Sequence, residues 1–133
     1  MNAEITTKER GWPGHFICAD QCQFRCNTLV SCQTKSQGLI QIVVSTVGAY
    51  RDRDGKIQTI GCKRYYETMA FKAVLERGYI EADIVKQLDI KRKWCIGKLH
   101  DTVDNDANDM HDDVVAEVVE NLRANPFYYG HDI

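Results

Sequence analysis

Residues 22–32, CQFRCNTLVSC, set Cys22, Phe24, Cys26, Thr28, Val30 and Cys32 on every second position, with Gln23, Arg25, Asn27, Leu29 and Ser31 between them. The first set is small or apolar and the second is polar apart from Leu29. A period of two is that of a strand with one buried and one wet face. On a helix, Cys22 and Cys26 would stand one turn apart and could share a metal ion. On a strand they lie roughly 13 Å apart at about 3.3 Å per residue, too far for one ion. The reading of this stretch therefore decides both the fold and the use of its thiols.

Strand patterns continue on both sides. Residues 1–14 read as an N-terminal arm closing in the turn-forming Gly11-Trp12-Pro13-Gly14, and His15–Ala19 is a short apolar run. Leu39–Tyr50 is rich in β-branched residues, and Thr34–Gly38 suits a hairpin loop before it. Asp54-Gly55 marks a second hairpin, leading into Lys56–Cys62. Tyr65–Leu75 places Glu67, Met69, Phe71, Ala73 and Leu75 on one face, so a strand is favoured over a helix. A turn at Glu76-Arg77-Gly78 and a returning strand Tyr79–Leu88 follow. Asp89–His100 is a basic, Trp-containing connection.

Val114, Val115, Val118, Val119 and Leu122 fall at helical spacing, with Asp and Asn candidates for the N-cap and Asn125-Pro126 as a stop. They predict a helix over 105–123 with a valine stripe, followed by an aromatic tail over 124–133 that docks or joins a partner. The expected fold class is α+β: a twisted antiparallel β-sheet of about five strands (residues 15–88), with one main C-terminal helix packed on one face.

At 133 residues, 44% apolar and 27% charged, the chain has the length and composition of one globular domain. No run approaches the roughly 18 to 20 apolar residues of a membrane span. The polar first ten residues lack a signal-peptide core, which predicts a protein kept in the cytoplasm with reduced thiols. Charge is unevenly spread. Residues 1–100 carry 16 Lys/Arg against 10 Asp/Glu, whereas residues 101–133 carry one against nine. Such a split marks surfaces with different partners, or simply an acidic helix start placed against the macrodipole.

The stretches Arg10–Ala19 (RGWPGHFICA), Ile42–Gly48 (IVVSTVG), Arg64–Phe71 (RYYETMAF) and Ala107–His111 (ANDMH), with Cys22, Phe24-Arg25 and Asn27-Thr28-Leu29, are similar to those of short bacteriophage and prophage proteins. The resemblance spans most of residues 10–120. It implies an origin in a mobile element and an accessory protein acting in the cytoplasm of a bacterial host. Proteins of that kind often antagonise host defence or regulation. It carries over no catalytic residue.

Four groups of residues bear on chemistry. His15, Cys18, Cys22, Cys26 and Cys32 have zinc-capable donors but lack the paired C-x2-C knuckle, and the strand reading turns the cysteines into small hydrophobes. Arg64, Tyr66 and Glu67, together with His15 or His111, offer a cation, a phenol and a carboxylate that could hold a phosphate or nucleotide. A structural Arg–Glu pair is their commoner use. Asp106, Asp109, His111 and Asp112 cluster at the helix start, where they could hold a hard cation, cap the helix, or meet a basic, nucleic-acid-binding surface in place of phosphates. Finally, Arg51, Arg53, Lys56, Lys63, Arg64 and Lys91-Arg92-Lys93-Trp94 could follow a phosphate backbone. A pI near 6.1 ranks direct nucleic-acid binding below protein binding.

The sequence assigns no catalytic residue, cofactor or metal ligand. It predicts a non-enzymatic protein that binds and blocks a host protein or complex, one of a defence system included, as a symmetric homo-oligomer. The contacts are assigned to Arg25, Asn27, Arg64, Tyr66 and Glu67 on the sheet, to Asp106, Asp109, His111 and Asp112 on the helix, and to the aromatic tail. The alternatives are a nucleotide-binding protein or hydrolase with an Arg/Tyr/Glu/His pocket, and a zinc-stabilised domain.

Overall fold

A computed structural model describes residues 4–10, 15, 21–35, 38–60, 65–76, 78–94 and 103–130. Its strands are β1 (Glu4–Glu9), β2 (Cys22–Thr34), β3 (Gly38–Arg51), β4 (Ile57–Gln58), β5 (Tyr66–Glu76) and β6 (Tyr79–Trp94), followed by α1 (Val103–Ala124). The fold is α+β: a curled antiparallel sheet in the order β1-β2-β3-β5-β6, with β4 paired to one end of β3. The decisive stretch is extended throughout, as its period of two requires.

Three elements depart from the sequence reading. The arm contributes β1, which pairs with β2 from Glu4↔Gln33 to Glu9↔Thr28. Of the strand expected over Lys56–Cys62, whose last two residues lie outside the described ones, β4 alone forms, after a turn that holds itself together. There the Asp52 carboxylate accepts from the backbone N–H of Asp54 and of Lys56 and from the Gln58 amide, and Gly55 takes a φ of 80°. The returning strand runs on into Lys91–Trp94, so part of the basic connection belongs to β6. Its register against β5 slips twice between Met69 and Ala73, which bends β6.

The two faces of the sheet are covered differently. On the outer face, α1 lays Val114, Val118 and Leu122 on Val30, Cys32, Ile40, Ile42, Val44 and Ala70. Each of these fully buried helix side chains contributes about 2 kcal/mol. Phe127 and Tyr129 of the tail pack against the same cluster, and the Asn121 amide donates to the Tyr129 hydroxyl. Tyr128 stays exposed, edge-on to Tyr129. Near the start of α1, Tyr66 packs with Ala49 and Ala107, and Phe24 meets the Tyr66 ring edge-on. A Cβ at Gly48 would stand 2.2 Å from the Tyr66 ring, so only glycine lets that ring lie flat on β3. Beyond the kink at Ala49 (φ 52°), Cys22 packs with Val47 and Ile60, apart from the cluster that holds Cys32.

The inner face carries Asn27, Leu29, Val43, Ser45, Val47, Glu67, Met69 and Phe71. Alternation predicts Gln23 to Ser31 as wet, but Asn27 and Leu29 are buried. The reason is the curl. The Arg10 guanidinium donates to the Asn27 side-chain oxygen at 2.9 Å and also to the backbone carbonyl of Ile80 in β6. In a flat sheet β2 and β6 would be about 14 Å apart at about 4.8 Å per strand, beyond the span of one guanidinium. The sheet therefore folds toward the face on which Arg10 lies.

Candidate functional site

Each face of the sheet holds a buried histidine. On the outer face, His111 occupies the stripe Ala107, His111, Val114, Val118, Leu122 of α1, at steps of three and four that keep one helix face. Its Nε2 meets the Thr28 hydroxyl and its Nδ1 the Thr46 hydroxyl, each at 2.7 Å, and Thr46 bonds on to Thr68 at 2.6 Å. The side chain is wholly inaccessible, and loss of hydration pushes its pKa down from 6.5 to about 4. The ring is thus neutral at pH 7. One nitrogen donates to one threonine, the other accepts from the second, and either tautomer satisfies both.

On the inner face, His15 Nε2 lies 3.0 Å from Glu67 Oε1 and Nδ1 lies 2.9 Å from Ser45 Oγ. The side chains of His15 and Glu67 are 5% and 8% exposed, and Phe71 stacks obliquely on the imidazole at 5.4 Å. An ionised carboxylate only accepts, so in the neutral ring Nε2–H donates to Glu67 and Nδ1 accepts the Ser45 hydroxyl proton. Neighbouring this relay on β2 is Asn27, the register partner of Ser45, with Arg10 bound to it. The order serine–histidine–carboxylate is that of a nucleophile relay. Its setting is not. Ser45 is fully buried on an interior strand, flanked by Asn27 of β2 and Met69 of β5. The ladders on both sides engage the backbone there, so β3 itself offers no N–H array for an oxyanion.

The residues expected to act together are separated. Glu67 and His15 meet on the inner face, whereas Tyr66 and His111 are buried on the outer one, so they cannot line a common pocket. Successive residues of a strand point to opposite faces, which divides Tyr66 from Glu67. Arg64 lies outside the described residues. Of the proposed polar sheet face, Arg25 is exposed, but Asn27 and Tyr66 are buried and closed to a partner.

The helix start divides in two. His111 turns inward, while Asp106, Asp109, Asp112 and Asp113 are exposed on the opposite side, with Glu120 further along. Asp112 and Glu9 both act on Cys26, whose pKa burial and these two charges push up to about 11. That thiol is protonated and unreactive at neutral pH. The two carboxylates also show that the acidic surface runs from α1 toward the end of β1.

The expected metal donors do not converge. Cys22, Cys26 and Cys32 are free thiols along β2, Cys18 lies outside the described residues, and no group of three metal-binding side chains forms among the described residues. At the basic hairpin, Arg51 bonds the Gly55 carbonyl and the Gln23 side chain. Arg53 and Lys56 are exposed there, and Lys63 lies outside the described residues. No helix among the described residues is long and apolar enough to cross a membrane. No protein-family model, curated protein or solved structure matches the chain.

Proposed function

We propose that this is a non-enzymatic accessory protein of a bacteriophage or related mobile element, which binds and blocks a host macromolecule through the acidic outer face of α1. The observation that carries the reading is the division of that helix. Ala107, His111, Val114, Val118 and Leu122 fix it to the sheet, while Asp106, Asp109, Asp112 and Asp113 stand in solvent. A row of carboxylates on a rigid helix can complement the lysines and arginines of a host protein that handles nucleic acid. It would raise the rate of encounter as well as the selectivity. The test is affinity capture from the bacterial host, followed by titration of the recovered partner. The triple reversal Asp106→Lys, Asp109→Lys and Asp112→Lys should weaken binding about a hundredfold while the melting temperature holds. Unchanged binding contradicts the acidic-face reading.

A second reading rests on the relay of Ser45, His15 and Glu67, a serine, a histidine and a carboxylate in series, which supports a hydrolase or nucleotide-binding protein. It predicts a melting temperature raised by a nucleotide, with or without Mg²⁺, and the rise abolished in Ser45→Ala. A flat response across the panel counts against it.

A further inference from the structure

We propose that two copies of this chain pair through the outer edge of β1, antiparallel about a two-fold axis at Thr6, making one continuous sheet across the dimer. This surface is the backbone edge of β1, of which only the last residue, Glu9, adjoins the acidic surface of α1. Among the described residues, β1 pairs only with β2, and Glu4, Thr6, Thr7, Lys8 and Glu9 are all exposed. Edge strands are normally blunted by bulges, proline or strong twist. The opposite edge, β6, is broken by its two register slips, whereas β1 is regular, and its exposed charges Glu4, Lys8 and Glu9 would blunt it against most strands.

The register follows from backbone direction. Arg10 N–H donates to the Asn27 carbonyl, so even-numbered residues of this stretch turn their N–H and C=O toward β2. Ile5, Thr7 and Glu9 therefore turn theirs outward. Two copies can bond only where outward residues face one another, which excludes every register that sets an odd residue opposite an even one. With Thr6 on the axis, Ile5 and Thr7 of the two copies exchange N–H···O bonds. Glu4 then stands directly opposite Lys8 of the other copy, once on each side of the axis, and opposite charges so placed attract. Moving the axis to Thr7 would set Glu4 against Arg10, which Asn27 and Ile80 already occupy. Moving it to Lys8 would set like charges face to face. Charge complementarity thus selects Thr6.

The pairing is short, so the dimer should dissociate in the micromolar range. Sedimentation equilibrium from about 1 to 300 µM reads it. The wild type should be a dimer at the upper end. Thr7→Pro removes an outward N–H that β1 does not use within its own sheet, together with half of the bonds between copies, and should be monomeric throughout. Glu4→Lys and Lys8→Glu each turn attraction into repulsion and should weaken association about tenfold, whereas the double swap restores it. Near-ultraviolet circular dichroism should be unchanged in all of them. A wild type that stays monomeric at the highest concentration overturns the proposal. So does a dimer indifferent to Thr7→Pro and to the charge reversals, since that dimer uses another surface.

Discussion

His111 and His15 are both buried against the same sheet, from opposite sides, and their partners differ in kind. His111 is carried by α1 and is hydrogen-bonded to two hydroxyls, neither of which can neutralise charge at the ring. His15 faces a carboxylate. The first arrangement favours a neutral ring and fixes α1 to the sheet, and the second joins a ring to a carboxylate and a hydroxyl on the inner face. The contrast also explains why a chain rich in apparently chemical residues does not assemble them. The alternation of β2, β3 and β5 divides them between two faces, and each face uses its share to satisfy buried polar groups.

Substitutions at the two histidines should therefore differ in severity. His111→Ala leaves the Thr28 hydroxyl without its ring partner, opens a cavity beneath α1, and should cost about 4 kcal/mol in denaturant unfolding. The pH dependence has the next largest effect. The unfolded ring titrates near 6.5 and the folded ring near 4, so between those values the unfolded chain binds a proton that the native one does not. Stability attributable to His111 is complete above pH 6.5 and falls by about 3 kcal/mol as pH drops to 4. A His111→Asn variant, unfolded over the same range, should lack that slope. His15→Ala should cost less, about 2 kcal/mol, because the His15 and Glu67 side chains keep 5% and 8% exposure and water can reach the carboxylate once the ring is gone, whereas His111 is wholly inaccessible. Equal costs at the two positions would erase the distinction. Smallest is the charge reversal at Asp106, Asp109 and Asp112, which lies outside both cores and should move stability by no more than about 0.5 kcal/mol.

Much of this architecture was legible in the chain. The period of two over Cys22–Cys32 and over Tyr65–Leu75 foretold strands, and the valine stripe foretold α1. Alternation assigns a residue to a face but does not say what covers that face, so the burial of Asn27 and Tyr66 was not legible. Nor was β1, whose only cue is the short run Ile5-Thr6-Thr7 and whose pairing depends on a strand beyond the turn. The basic residues of β6 disguised its extension. His111 did carry a signal: it lies four residues after Ala107 and three before Val114, in phase with the apolar stripe, although acidic neighbours made it look like part of a polar cap. His15 and Glu67, 52 positions apart, were grouped by residue type alone, and no spacing singled out their pairing or their partner Ser45.

Histidine-ring nitrogen NMR across a pH titration reads the distinction between the two faces directly. The account predicts that the His111 ring stays neutral down to about pH 4, with both nitrogens held in hydrogen bonds. A His111 ring that takes up its proton near pH 6.5 while the protein remains folded would contradict it.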